Sequence, residues 1–275
     1  MEKEGKEIKK NTNDKKEVLK FDNVSLIYHT KDGETLALED VNFSVYEKEF
    51  VAIVGPSGCG KTTNLSLIAG ILKPSSGHIY LDGHDVNEKK KTSEVDIGYM
   101  FQRDQLFDWQ TIWKHVTIGI EIQKRKKDTE LLTRVSNLID KYGLGNFRNS
   151  KPTELSGGMR QRVALIRTLA LDPKILLLDE PFSALDFQTR LNVCDNVSEI
   201  ISNEEKTAIL VTHDISEAVS LADRVIILST RPGTVKKIVD IDLKEYSTPL
   251  KRRESKKAHD YFDEIWKELV IYDES

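Results

Sequence analysis

The stretch Gly55-Pro56-Ser57-Gly58-Cys59-Gly60-Lys61-Thr62-Thr63 follows an apolar run at residues 50–54 and precedes a segment where Leu65, Ile68, Ala69 and Leu72 recur at helical spacing. It has the form G-x-x-x-x-G-K-[ST], and a strand in front with a helix behind is the context this phosphate-cradling loop requires. Glycines let the backbone bend and bring N–H groups close to phosphate oxygens, while the start of the helix adds a partial positive charge. In such a loop Lys61 bridges the β- and γ-phosphates, Thr62 offers its hydroxyl to Mg²⁺, and Thr63 makes a further phosphate contact. The stretch predicts a nucleotide hydrolase and leaves open which one.

Composition narrows the class. The chain has 275 residues, enough for one large α/β domain with an inserted unit and tails. Its 41 basic and 45 acidic residues give a formal net charge of −4, so it carries no overall electrostatic footprint for nucleic acid, and no nucleic-acid partner is expected. Cys59 in the loop and Cys194 in an apparent helix have no disulfide spacing, which reads as a reducing compartment. No signal-peptide core opens the sequence, and no apolar run approaches the roughly 20 residues that cross a bilayer. Work at a membrane is expected to need a partner that supplies the spans.

Upstream of the loop, residues 1–17 mix Lys, Glu and Asn with almost no apolar residues, the composition of a disordered tail. At residues 18–28 and 41–45 apolar residues alternate, with Val41, Phe43 and Val45 on one face, which predicts antiparallel strands. Lys31-Asp32-Gly33 between them is turn chemistry. Tyr28 at the end of the first strand admits two roles, stacking on a nucleotide base or packing at a rim.

Downstream, Lys73-Pro74-Ser75-Ser76-Gly77 reads as a helix stop and turn, and residues 78–83 as a short strand that extends the antiparallel layer. Residues 97–101 form a strand that ends at Gln102, and residues 103–113 are a mobile connection without clear period. A helical unit follows, in which Leu131, Leu132, Val135, Leu138, Ile139 and Tyr142 keep helix spacing up to Gly143, behind a solvated charge run at residues 124–128. Ser156-Gly157-Gly158 then opens another helix. Bare N–H groups and a positive dipole end there make a second anion site, so the chain carries two phosphate-binding surfaces.

Three continuous apolar runs, at residues 175–178, 208–211 and 224–228, are separated by helical segments and predict a buried parallel sheet. Ligands of such sheets sit beyond the carboxyl ends of the strands. The phosphate loop, Asp179-Glu180 and His213 all fall at such ends, so one site can collect them. Asp179 is placed to hold Mg²⁺ through its water shell beside Thr62. Glu180, facing the γ-phosphate, can orient and deprotonate the attacking water. Gln102 can ligate Mg²⁺ or the water, and His213 can hydrogen-bond the γ-phosphate.

These motifs stand in the order and spacing of a known family. Across residues 18–235 the chain resembles the ATP-binding subunit of an ATP-binding cassette (ABC) transporter, through the phosphate loop, Gln102, the signature at residues 155–162, the strand ending in Asp179-Glu180, Ser183-Ala184-Leu185-Asp186, and His213. The resemblance implies an α/β fold with a P-loop nucleoside triphosphate hydrolase core, a parallel sheet, an N-terminal antiparallel β layer and an inserted helical subdomain at about residues 104–170. The ATPase domain then spans residues 18–240, and a short helical extension residues 241–275.

It further implies that Tyr28 stacks on adenine; that Gly55, Pro56, Ser57, Gly58, Cys59, Gly60, Lys61, Thr62 and Thr63 hold ATP; and that Thr62, Gln102 and Asp179 serve Mg²⁺. Glu180 would be the base, His213 the γ-phosphate switch and Gln102 the coupling residue. Ser156, Gly157 and Gly158 would act on ATP bound to a second copy of the chain, with Asp186 in the loop joining the two sites. Met159 stands where many relatives have Gln, with the Ser-Gly-Gly core intact.

Leu106, Phe107 and Trp109, with Arg231-Pro232-Gly233 and a basic-then-aromatic C-terminus, are similar to the nitrate/sulfonate/taurine importer branch, although Asp108 departs from its Leu-Leu-Pro-Trp. Such a subunit would sit peripherally on the cytoplasmic face of the membrane, with integral permease subunits and, indirectly, a solute-binding protein as partners. The different-class alternative is a soluble cassette ATPase of translation or DNA repair; those carry paired cassettes or a long coiled-coil insertion, which this sequence lacks. Tyr261, Phe262, Ile265, Trp266 and Leu269 mark an amphipathic C-terminal helix that packs back on the domain or meets the partner subunit. No β-rich regulatory domain is expected after it.

Overall fold

The computed structural model describes residues 15–31, 33–86 and 97–270. The predicted tail therefore lies almost wholly outside the described residues, as does Asp32 of the first turn. From the N-terminal side, β1 (Glu17–Thr30) and β2 (Gly33–Tyr46) lead into β3 (Phe50–Val54) and helix α1 (Lys61–Ile68). Short strands β4 (Ser76–Leu81) and β5 (His84–Asp85) precede β6 (Ile97–Met100). Helices α2 (Ile112–Ile122), α3 (Thr129–Lys141) and α4 (Gly157–Leu169) follow. Strands β7 (Ile175–Asp179), β8 (Thr207–Val211) and β9 (Arg224–Leu228) then alternate with α5 (Phe187–Asn203) and α6 (Ile215–Leu221). Strand β10 (Val235–Asp240), α7 (Pro249–Arg253) and α8 (Lys256–Val270) come last.

Two sheets organise these elements. One is antiparallel, in the order β2-β1-β4-β5; the other has the order β10-β9-β3-β8-β7-β6, with β10 antiparallel to β9 and the remaining pairs parallel. The interiors of β3, β7, β8 and β9 are continuous apolar runs because both faces of the sheet are covered, and their polar residues Asp179, Thr207 and Arg224 stand at strand ends. Ala52, Val54, Leu176, Leu178, Ala208 and Leu210 point into a core shared with the helices. Their alternates Val51, Ile53, Ile175, Leu177, Ile209 and Val211 point into a second core shared with α1 and the antiparallel sheet. In that second core Phe21 and Phe43 stack at 4.4 Å, a pair that contributes about 0.5–1.5 kcal/mol beyond its burial.

The structure corrects the sequence reading at several elements. Helix α1 ends at Ile68 rather than running through Leu72, because Gly70 turns left-handed (φ 66°). Ile71 N–H then donates back to the Ser66 carbonyl and Gly70 N–H to that of Leu67, closing the helix. Strand β6 stops at Met100, one residue short of Phe101.

The expected connection at residues 103–113 is shorter, since α2 already begins at Ile112. The local sequence does not declare that helix, because Ile112, Val116, Thr117, Ile118, Ile120 and Ile122 are β-branched and Gly119 is a poor helix former. Packing overrides propensity here. Ile112, Val116 and Ile120 are fully buried on one face, and at Gly119 a Cβ would stand 2.9 Å from Leu171 Cδ1. Strand β10 carries no apolar pattern that would predict it, since only Val239 of it is buried. In α8 Ile265 is buried against the domain, but Trp266 is 53% exposed and stacks on Phe262 instead of joining the core.

Candidate functional site

Strands β3, β8 and β7 are neighbours, so their carboxyl ends bring the phosphate loop, His213 and Asp179-Glu180 to one edge of the sheet. The loop's shape follows from its glycines. Gly58 and Gly60 hold φ of 76° and 98°, a conformation costly for a residue with a Cβ. At Gly60 a Cβ would also meet Leu38 Cδ2 at 2.5 Å, so the floor of the loop rests on β2. Cys59 is fully buried beneath the loop, and burial pushes its thiol above the ordinary range. It shapes the loop from below, leaving only its backbone to face a ligand.

Lys61 is 8% exposed, yet its Nζ donates to two neutral acceptors, the carbonyls of Gly55 (2.8 Å) and Pro56 (2.9 Å). A buried ammonium bonded only to carbonyls at the start of a helix suits a phosphate chain. Tyr28, 37% exposed, donates or accepts at Thr63 Oγ1 across 3.2 Å. Its ring is thus held at the mouth of the loop, where a base can reach it.

Asp179 is held at both carboxylate oxygens. Thr62 Oγ1 donates to its Oδ1 at 3.0 Å and Tyr99 OH to its Oδ2 at 3.0 Å. Burial pushes its carboxyl above the ordinary value and the neighbouring Glu180 charge adds to this, while the Thr62 and Tyr99 bonds and Lys61 act the other way. Burial and the Asp179 charge likewise hold the Tyr99 hydroxyl strongly protonated, so it remains a donor. The Thr62 hydroxyl and Asp179 carboxylate form an all-oxygen donor set, which fits a hard cation such as Mg²⁺.

Glu180 stands one residue beyond β7 with φ 44°, a left-handed conformation unusual for a residue with a side chain. Its N–H donates to the Val211 carbonyl at 2.9 Å. Its Oε2 lies 3.2 Å from His213 Nδ1 and accepts from Gln102 Nε2 at 3.3 Å. Gln102 thus sits against Glu180 rather than against Thr62 and Asp179. Tyr99 is a site residue that the sequence reading did not single out, and Ser183, named there only as part of the Ser183-Ala184-Leu185-Asp186 motif, also makes site contacts. Ser183 Oγ accepts from Gln102 at 3.3 Å and donates to the Glu180 carbonyl at 3.0 Å, so it fixes both. The available signals were the motif for Ser183 and, for Tyr99, a place three residues before Gln102 in the apolar run that leads to it.

The Ser156-Gly157-Gly158 turn, expected to be a second anion site, is built from other elements than the phosphate loop. Ser156 caps α4, accepting from Met159 N at 3.3 Å, and is exposed. A Cβ at Gly157 would touch Leu185 Cδ2 at 3.2 Å, and one at Gly158 would clash with Val193 Cγ2 at 2.9 Å, so these glycines let the turn lie on α5 and the loop before it. Asp186 spends its side chain capping α5, accepting from Thr189 N at 3.0 Å, and those Thr189 bonds lower its carboxyl from the ordinary range.

The model of the ABC transporter family matches residues 38–183. The chain is 43% identical to an uncharacterized ABC transporter ATP-binding protein, YtlC, of Bacillus subtilis over 91% of its length and 95% of that protein. The chain belongs to the ABC transporter family. Within this ABC family it is 37% identical to the taurine import ATP-binding protein TauB of Ruegeria pomeroyi (88% of this chain, 89% of that one). It is 41% identical to the nitrate import ATP-binding protein NrtD of Synechocystis (82% and 83%). Among solved structures, the dimeric bacterial ABC transporter cassette MJ0796 superposes with a TM-score of 0.69 at 33% identity, covering 82% of this chain and 99% of that one. The same cassette in a post-hydrolysis state with ADP and phosphate gives 0.67 at 31% identity, with the same coverage. The protein is an ABC ATPase that uses ATP and Mg²⁺, as the motifs predicted.

Proposed function

We propose that this ABC ATPase is the motor subunit of an importer. Two copies close on two ATP molecules and drive a separate membrane permease that moves a small solute of the nitrate, sulfonate or taurine type, or a related small organic compound. The observation that carries this reading is the separation of the two anion surfaces. Lys61 bonds within the phosphate loop, Asp179 accepts from its Thr62, and Glu180, next to Asp179 in the chain, meets Gln102 and His213, while Ser156-Gly157-Gly158 packs toward Leu185 and Val193. One chain therefore presents two halves of different sites, and a second copy completes each. The dimeric cassette structure and the import proteins among the relatives support it.

In this reading the phosphate-loop N–H groups and Lys61 hold the phosphates, Tyr28 meets the base, and Thr62 and Asp179 hold Mg²⁺ with Gln102 nearby. Bound Mg²⁺ offsets charge on the phosphate oxygens. Glu180 takes a proton from the attacking water, and His213 hydrogen-bonds the γ-phosphate. Asp186 lies in the loop that runs to the partner's site. No helix among the described residues is long and apolar enough to cross a membrane, which agrees with a peripheral place on the cytoplasmic face beside a permease. A solute-binding protein would deliver the solute to that permease.

The test is Glu180→Gln. It is expected to bind ATP, to hydrolyse it about 100-fold or more slowly, and to accumulate as a dimer in size-exclusion chromatography with ATP. Near-normal phosphate release in this variant would remove Glu180 from its role. Purification from detergent-solubilised membranes should bring down a membrane-spanning subunit; recovery with ribosomes instead would favour the soluble alternative.

A further inference from the structure

Arg190, in the first turn of α5, reaches both loops that flank the candidate site. Its Nη2 donates to the Leu185 carbonyl at 3.1 Å, just before Asp186, and its Nη1 donates to Asp214 Oδ2 at 3.4 Å, just after His213. Its Nε is buried 3.8 Å from Glu217 Oε1. Glu217 is itself 3% exposed, and its other oxygen accepts from Thr212 Oγ1 at 2.7 Å. The same Thr212 Oγ1 accepts from Asp214 N at 3.0 Å, and Asp214 Oδ1 caps α6 by accepting from the N–H groups of Ser216 and Glu217.

The residues on either side of His213 are thus tied into one network, buried at Thr212 and Glu217 and partly exposed at Asp214, and Arg190 joins that network to the Leu185-Asp186 turn. The His213 ring stays out of it, 61% exposed, with Nδ1 turned to Glu180. A guanidinium suits this position because its rigid fork can bond two acceptors in different directions while its charge faces a buried carboxylate.

We infer that Arg190 is a positioning residue for hydrolysis: it fixes the distance between the His213 turn and the Leu185-Asp186 turn, and so holds His213 opposite Glu180. This rests on the reading that Glu180 and His213 serve hydrolysis. It adds a mechanical link, since Leu185 also carries Gly157 of the signature turn. A shift in that turn is transmitted through Leu185 and Arg190 to His213.

Removing Arg190 alone would take away the guanidinium that the buried Glu217 carboxylate faces, which destabilises the fold whatever its role. The informative variant is Arg190→Met with Glu217→Gln, which removes both charges. It is expected to keep Tm within a few degrees and ATP affinity within about twofold, while kcat at saturating ATP falls about 10-fold or more, because misplacement of a reacting group lowers kcat without weakening ground-state binding. Arg190→Lys keeps the charge but loses the fork, and is expected to lose about 3- to 10-fold in kcat with unchanged KM for ATP.

Wild-type kcat in both variants would overturn the inference, as would losses of kcat that only follow losses of Tm and ATP affinity. Glu180→Gln is measured alongside. Normal turnover there would remove both this inference and the reading of the site. An inactive Glu180→Gln beside normal Arg190 variants would remove this inference alone.

Discussion

Thr62 Oγ1 donates to Asp179 Oδ1 at 3.0 Å, so the first turn of α1 and the last residue of β7 meet across the carboxyl edge of the sheet. Tyr99 holds the other oxygen of the same carboxylate. A ligand oxygen oriented by such a partner usually loses about 10-fold or more in metal affinity when the partner is removed. Tyr99→Phe is therefore expected to raise half-saturating Mg²⁺ by about 10-fold and to cost about 1 kcal/mol of stability. Phosphate release titrated with Mg²⁺ at saturating ATP measures this, and an unchanged Mg²⁺ dependence would show that Tyr99 does not orient Asp179.

Gly233 supports the phosphate loop from beneath. Its N–H donates to the Ala37 carbonyl at 2.9 Å and its carbonyl accepts from Glu39 N at 3.1 Å, which press it so close that a Cβ would stand 2.1 Å from the Cys59 carbonyl. That contact is with backbone, so the loop must move. Gly233→Ala should lower stability by about 1–3 kcal/mol and weaken ATP binding measurably. A lower Tm with unchanged ATP affinity would limit Gly233 to packing.

His115 makes folding sensitive to mild acid. Its ring is 1% exposed and its Nε2 meets the backbone of Phe107, accepting from the N–H at 3.1 Å. Burial first, then the charge of Arg167, holds its pKa below the ordinary 6.5, against the opposing effects of Phe107 and Asp104. The unfolded chain therefore takes up a proton that the folded chain resists. This contribution to stability is whole above the ordinary value and falls as pH drops toward the lowered folded one. Thermal unfolding between about pH 7.5 and about pH 5.5 should show the loss, and His115→Gln should remove that share of it. An identical pH profile in the variant would clear His115 of the effect.

Glu204 fastens α3 to the end of α5. Its carboxylate, with the side chain 10% exposed, accepts from Arg134 (3.1 Å), Lys141 (3.0 Å) and Tyr142 (2.9 Å). Burial opposes ionisation, but the bonds from Lys141 and Tyr142 and the charges of Lys141 and Arg134 outweigh it and hold the carboxyl below its ordinary value. The stability this supplies is present above the ordinary value of 4.5 and is lost as pH falls through the lowered one. Because the cationic partners are partly exposed, Glu204→Ala should cost only about 1–2 kcal/mol. Chemical denaturation at neutral pH measures it; no change would mean that solvent screens the cluster fully.

Much of the fold and half of the site could be read from the sequence, for local reasons. Residues 50–63 declare strand, loop and helix because the left-handed turns at Gly58 and Gly60 favour glycine and Lys61 puts a cation at the helix start. The continuous apolar runs ending in Asp179-Glu180 and at His213 predicted buried parallel strands, and strand ends are where such sheets bind ligands.

Tertiary structure decided what lies far apart in the chain. Helix α2 forms against the propensity of its β-branched residues because Ile112, Val116 and Ile120 have a core to enter. Tyr99 reaches Asp179 because β6 pairs with β7, and Gly233 lies under Cys59 because residues 33–46 fold back beneath the loop. Arg190 bridges Leu185 and Asp214 only once α5 and α6 are in place. The sequence by itself determined which groups can carry the chemistry; tertiary packing determined which of them touch, since contact between distant residues depends on sheet order and register that no local pattern encodes.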